Sequence, residues 1–260
     1  MLTSLNNPTV KRLVRLRDNR ARRKANKVIV DGWRETIQAL DAGLVANGLF
    51  TNLQSVPESV QKRCGQLIQP VSDPVMEKIS YGNSARSVVA EFEEPDWGID
   101  QLNLPAGGLV LVLDQFEKPG NVGAVFRCAD AAGVDAILLT DSLADRFNPN
   151  AIRSSLGAVF RVPSAAISES EAREFLARHR YQIFAARVET SEELWDRDLT
   201  SASAIVIGNE AHGLAERWKT EGQSRVDGIR IPMHGSVDSL NASVSASILM
   251  YEARRQRALV

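Results

Sequence analysis

Three polar stretches follow apolar runs in this chain: DQFEKPGNVGAVFR (residues 114–127), IVIGNEAHGL (205–214) and IPMHGSVDSLNAS (231–243). Open parallel α/β sheets bind ligands beyond the carboxyl ends of their strands, so such loops are where chemistry can sit. In the first, Gly120 and Gly123 permit tight turns, and Asn121 can cap the helix that carries Arg127. In the second, Gly208 ends a strand where a ligand can approach the backbone closely, and Glu210 suits the positive end of a following helix. In the third, Ser239 and Asn241 are good caps for the last helix. Capping alone accounts for Glu210, Ser239 and Asn241. It does not account for Ala242, Ser243, Ser245, Ala246 and Ser247, whose small side chains let another backbone lie close to that helix. The glycines of the first loop fall as G-x-x-G, not as the G-x-G-x-x-G of a dinucleotide turn, and no G-K-[ST] phosphate loop is present.

Charge is the second chemical signal. The 260-residue chain has a net charge of -1, yet residues 11–27 hold nine Lys or Arg against one acid, Asp18. The remainder carries 22 bases and 31 acids. A local field of that strength attracts a polyanion, with a solvated helix face as the bland alternative. Lys11, Arg12, Arg15, Arg22, Arg23 and Lys24 are the candidate nucleic-acid contacts. Cys64 and Cys128 lack metal or redox spacing and are expected to stay reduced in a cytoplasm, and three scattered histidines argue against a structural metal. No apolar run reaches the roughly 18 residues of a membrane span, and the polar start has no signal-peptide character.

These residues need elements to hold them. The spacing predicts one basic helix over residues 8–27, with Val10, Leu13, Val14 and Leu16 as its apolar stripe. KVIVDGWRETIQALDAG reads as strand, turn and helix; GQLIQPVS and SVVAEFEEP read as strands around a helix near SDPVMEKIS, capped by Ser72 or Asp73. This is a small α/β module over residues 1–95, followed by a Pro- and Gly-containing linker over 96–107. From residue 108 to 260 the strands LVLVLD, DAILLTD, YQIFAARV, SAIVIG and GIRIPM are nearly continuous Val, Ile and Leu, which predicts a parallel sheet covered by helices.

The three loops together resemble the signature of the SpoU/TrmH family of RNA ribose 2'-O-methyltransferases. The matching segments are N-x-G-A-x-x-R at 121–127, G-N-E-x-x-G-L at 208–214 and I-P-M-x-G-x-x-x-S-L-N-x-S at 231–243, in order and spacing over roughly residues 108–257. The front module resembles the family's separate substrate-binding domain through VDGWRETIQAL and VVAEFEEP, while ISYGNSARS differs from the usual Pro-Gln-Gly-type segment.

The resemblance implies an α/β catalytic domain whose C-terminal part is threaded into a deep trefoil knot, the small-residue helix being the threaded segment. It implies S-adenosylmethionine in the knot against Gly208, Ile231, Met233 and Leu240, with the strand end at Ala185 to Arg187 as another wall, and no metal. It makes Arg127 catalytic, supported by Asn121, Glu210, Ser239 and Asn241. Guanidinium groups stay protonated in proteins, so the arginine is read as an anchor for a phosphate beside the target ribose, or for a developing alkoxide, rather than as a base. Arg153 and Arg161 are further phosphate-contact candidates, weighed evenly against solvated helix arginines. The run Arg254, Arg255, Arg257 reads as a complement to the last helix's negative end. The expected protein is a cytoplasmic homodimer, paired through the knot domain, that methylates structured RNA. Ribosomal RNA is favoured over transfer RNA, and over a catalytically silent RNA-binding protein.

Overall fold

The computed structural model describes residues 1–53, 55–82, 87–188, 192–221 and 225–259. The chain divides into two compact units, residues 1–96 with 145–161, and residues 97–144 with 162–260.

The first unit opens with two helices where one was expected, α1 (Pro8–Arg15) and α2 (Asn19–Ala25). Asp18 is the reason: its backbone is extended and its carboxylate accepts from Ala21 N at 2.9 Å, so capping wins over continuation. The chain continues through β1 (Lys27–Asp31), α3 (Trp33–Asp41), β2 (Ala46–Thr51), α4 (Glu58–Cys64), β3 (Ile68–Pro70), α5 (Asp73–Ile79) and β4 (Val88–Glu93). The apolar periodicity gives no hint of β2, whose pattern Asn47 and Gly48 interrupt, or of the seven-residue α4. Ser72 is the N-cap residue of α5, but its side chain makes no capping hydrogen bond. The sheet order is β1-β4-β2-β3, with β4 antiparallel to both neighbours and β3 parallel to β2. Val10, Leu13 and Leu16 seat α1 on Val75, Met76 and Ile79 of α5. Of ISYGNSARS, residues 83–86 lie outside the described residues.

In the second unit the chain runs through β5 (Leu109–Asp114), α6 (Pro119–Ala132) and β6 (Ala136–Thr140). Residues 145–161, which the sequence places with the second unit, pack instead into the first, where α7 (Pro149–Ser154) lies against β1. The second unit resumes with β7 (Ser164–Ile167), α8 (Glu169–Arg178), β8 (Gln182–Ala186), the short β9 (Glu192–Glu193), β10 (Ser203–Ile207), β11 (Val226–Arg230) and α9 (Ala242–Arg257). Every strand pair is parallel, in the order β7-β6-β5-β10-β8-β11-β9. β5, β6 and β10 are buried at every position, as a sheet covered on both faces requires. β11 ends at Arg230, so Ile231 and Met233 lie in the loop beyond it. The expected linker is no tether: Ile99, Leu102 and Leu104 pack against the core built on Val110, Leu138, Phe175 and Val206. α9 runs along α6, and Arg254 donates to the Ala132 and Gly133 carbonyls at the end of α6. Arg257 donates to the Leu199 carbonyl at 2.9 Å, and Arg255 pairs with Glu252 at 2.7 Å. The C-terminal arginine run is therefore structural, but two of its members serve neighbouring carbonyls rather than their own helix.

The basic segment also divides. Arg22 is only 1% exposed: Nη2 reaches Asp145 Oδ2 at 2.9 Å, and Nη1 donates to the Arg17 carbonyl at 2.8 Å. This corrects its place among the RNA contacts, because no phosphate can reach it. Arg17 donates to the Ile79 carbonyl at 3.1 Å, Arg12 pairs with buried Glu91, and Lys27 pairs with Glu93. Lys11, Arg15, Arg20, Arg23 and Lys24 are exposed, with no hydrogen-bond or ion-pair partner among the described residues. Removing one member of a buried pair strands the other charge, so Arg22→Ala should cost about 3 kcal/mol of stability. Arg23→Ala should stay within about 0.5 kcal/mol. Urea unfolding of the two variants followed by circular dichroism checks the contrast.

Candidate active site

β10 lies beside β5 at the middle of the sheet, and their carboxyl ends open into the loops after Ile207 and Asp114. At the first step beyond β10, a Cβ on Gly208 would fall 2.2 Å from Gly213 C and 2.5 Å from Leu214 N. Only glycine fits such a crossing of backbones. The loop folds back through Asn209, which is 7% exposed. Asn209 Oδ1 accepts from Ala211 N at 2.8 Å and His212 N at 3.3 Å, its Nδ2 donates to the Gln115 carbonyl at 2.9 Å, and Gly213 N returns to its carbonyl at 2.9 Å. An asparagine bonding its own following backbone is the local cause of the turn. Gly213 (φ +60°) closes it, and Ala215 (φ +44°) and Trp218 (φ +53°) are also left-handed. For a residue with a Cβ that conformation costs of order 1–3 kcal/mol.

No helix follows Glu210; residues 208–218 are turns. Helix capping is thus not its role, nor that of Asn121, which sits inside the first turn of α6 behind the N-cap Lys118. Instead the two meet: Asn121 Nδ2 donates to Glu210 Oε1 at 2.8 Å. Asn241 Nδ2 donates to Asn121 Oδ1 at 3.3 Å, while its own Oδ1 caps α9 by accepting from Ser243 N at 2.9 Å. Three side chains from three loops, up to 120 residues apart in sequence, form one hydrogen-bonded chain.

Glu210 also lines a cavity of about 360 Å³, within the range of small-molecule sites. Gly208, Ile231, Met233 and Leu240 line it, as does Ser239, whose hydroxyl lies 3.2 Å from Asp238 Oδ1. Ala185 does not: it is buried within β8, and the wall is formed one step later by Ala186, Arg187 and Val188. Ala242, Ser245 and Leu249 of α9 complete the lining, so part of the small-residue run leaves room for a ligand. Arg127 is apart from this cavity, exposed on α6 and without a hydrogen-bond or ion-pair partner among the described residues. Arg153 is likewise exposed, on α7 of the other unit.

Asn209 and Leu214 fall within the 208–214 motif but were given no role by sequence, and Arg187 was expected only as part of the strand-end wall, which it does line. Asn209 had a signal, an Asn directly after a strand-ending Gly. The hold of Arg187 on the loop had none: its Nη1 donates to the Ala215 carbonyl at 2.8 Å, a contact that exists only in the folded loop. Beneath the loop, Arg217 makes a bidentate pair with Asp114 at 2.8 and 2.9 Å, and these bonds push its pKa above the ordinary value.

The sequence model of the SpoU rRNA Methylase family matches residues 108–251, and that of the MRM3-like substrate binding domain matches residues 7–90. A 23S rRNA (uridine(2479)-2'-O)-methyltransferase of Streptomyces viridochromogenes is 30% identical over 91% of this chain and 85% of its own length. A 23S rRNA (guanosine(2553)-2'-O)-methyltransferase of Bacillus subtilis is 26% identical, covering 97% of this chain and 98% of that one. Among solved structures, the SpoU methyltransferase AviRb of Streptomyces viridochromogenes with AdoMet superposes with TM-score 0.85 at 26% identity, over 97% of this chain and 99% of that one. A structure described as bearing on 2-OH methylation of C/U34 on tRNA covers only 59% of this chain and 99% of its own, with TM-score 0.52 at 30% identity.

Proposed function

The chain belongs to the SpoU rRNA methylase family, and from that premise we propose that it methylates a ribose 2'-hydroxyl of 23S ribosomal RNA with S-adenosylmethionine as donor. The observation that carries the reading is the Asn241–Asn121–Glu210 chain, ending on a carboxylate that lines a cavity of suitable size. Ribosomal RNA is favoured because the relatives named for 23S rRNA align with both units, whereas the tRNA-related structure covers 59% of the chain. The intact polar set also argues against a catalytically silent binding protein.

The residues present fit the donor. Leu214, Ile231, Met233, Leu240 and Leu249 supply apolar surface for a purine, the loop backbone around Gly208 supplies main-chain polar groups, and Glu210 supplies a negative charge. When bound, S-adenosylmethionine supplies an electrophilic methyl group on a cationic sulfur. The chain's contribution is alignment, because a ribose hydroxyl is a weak nucleophile and positioning can account for much of the barrier reduction. Asn121, itself oriented by Asn241, holds the Glu210 carboxylate in place. Arg127, free of internal partners among the described residues, offers its guanidinium as a bidentate phosphate anchor beside the target sugar. The C-terminal segment, in this reading, is threaded as in the family's knot, with α9 returning from β11 to α6.

The first unit is the RNA-holding module, through exposed Lys11, Arg15, Arg20, Arg23 and Lys24, with Arg153 and the half-exposed Arg12 adding to the field. The assembly is a homodimer seated on the outer stripe of α9, where Val244 is 45% and Tyr251 is 52% exposed, with Ile248 between them. The compartment this implies is the cytoplasm; no helix among the described residues is long and apolar enough to cross a membrane.

Arg127→Ala should reduce methyl transfer from tritiated donor to unmethylated ribosomal RNA by about 100-fold or more, with donor affinity retained in calorimetry. Full turnover by that variant removes Arg127 from the mechanism. Mapping 2'-O-methyl sites in ribosomal and transfer RNA, with and without the gene, identifies the substrate; loss of a site only in transfer RNA overturns the ribosomal reading. Neutralising one side chain that binds a phosphate should flatten the salt dependence of RNA affinity by roughly 0.7–0.9 in log–log slope, so Arg23→Gln with Lys24→Gln should reduce it by up to about 1.8. An unchanged slope returns those two residues to solvent. Light scattering of the purified chain should report twice its mass, and a monomer would refute the assembly.

A further inference from the structure

The loop that walls the cavity is held from below by Arg217 and its carboxylate partners, which do not line the cavity. Among the described residues, four of the seven non-glycine left-handed ones flank this loop or its anchors: Gln115 after β5, Asp141 after β6, and Ala215 and Trp218 in the loop itself. Strained backbone persists only where its surroundings over-determine it. Here one guanidinium joins several of those surroundings. Arg217 donates Nε and Nη2 to the two oxygens of Asp114 at 2.8 and 2.9 Å, and Nη2 also meets Asp141 Oδ2 at 2.6 Å and Glu169 Oε2 at 3.2 Å. Asp114 is fully buried and is oriented by Thr140 Oγ1 at 2.7 Å. The backbone on either side is tied as well. Trp218 N donates to Glu169 Oε1 at 3.0 Å, and Arg187 grips the Ala215 and Arg217 carbonyls. None of Asp114, Asp141, Glu169 and Arg217 lines the cavity, whereas Gly208, Gly213, Leu214 and Ala215 do.

The geometry points to Arg217, clamped on Asp114, as a positioning residue that keeps the 208–218 wall in its binding conformation before the methyl donor arrives. The inference rests on reading this cavity as the donor site. Lysine at 217 would keep the charge but lose the planar fork that engages both oxygens of Asp114 at once. The clamp acts on ground-state shape, so its loss should fall on donor binding and spare the chemical step.

The test uses the full chain with S-adenosylmethionine as probe. In Arg217→Lys, amide hydrogen exchange of residues 208–218 without ligand should accelerate, and donor Kd and KM should rise about tenfold or more, while kcat at saturating donor and the KM for RNA stay within about twofold. Unchanged exchange and donor affinity in the folded variant overturn the clamp, as does a parallel loss in kcat and RNA KM. Should Arg217→Lys fail to fold, Asp141→Asn removes one exposed arm and should raise donor Kd by about threefold; no change there also overturns it. A wild-type chain that binds no S-adenosylmethionine, yet whose 208–218 exchange responds to Arg217→Lys, sinks the donor reading and supports the clamp.

Discussion

The constraint on which the site depends is the crossing of two backbones just past the end of β10. Gly208 passes so close to Gly213 and Leu214 that a Cβ would stand 2.2 Å from a carbonyl carbon. A loop folded that tightly cannot also be a helix, so its polar groups are satisfied by Asn209 and by the end of β5. The same tightness carries Glu210 across to Asn121 and leaves the cavity bounded by main chain and small or apolar side chains. In the proposed donor reading, such a cavity binds through main-chain groups and needs neither a phosphate loop nor a dinucleotide fingerprint.

Arginine takes three distinct parts, and burial sorts them. Arg22 and Arg217 are engaged in internal ion pairs with Asp145 and Asp114, where loss of one partner would leave an uncompensated charge. Arg254 and Arg257 close off carbonyls of neighbouring segments. Arg127, Arg23 and Arg15 reach outward, their side chains without hydrogen-bond or ion-pair partners among the described residues. A count of basic residues in residues 11–27 merges these parts, which is why the +8 segment overstated the surface available to RNA.

Apolar runs rich in Val, Ile and Leu in β5, β6 and β10 are enough to imply a covered parallel sheet, because a strand buried on both faces has no polar alternation to hide. The three loop motifs identified Asn121, Glu210 and Asn241, and the structure joins them. Element ends were less legible. Asp18 split one expected helix, and β11 stopped at Arg230, since capping geometry and strand pairing set such limits more finely than periodicity does.

By itself, then, the amino-acid order determined the local chemistry: which strands are buried, which turns need Gly or Asn, and which polar types gather near strand ends. Tertiary structure alone decided which charges remain free, that residues 145–161 leave the second unit for the first, that Ile99, Leu102 and Leu104 join a core, and that Arg187 and Arg217 hold the cavity wall. The physical reason is range. Capping, alternation and turn propensity act over a few residues and leave marks in sequence, whereas an ion pair such as Asp114 with Arg217 spans 103 residues and has no local signature.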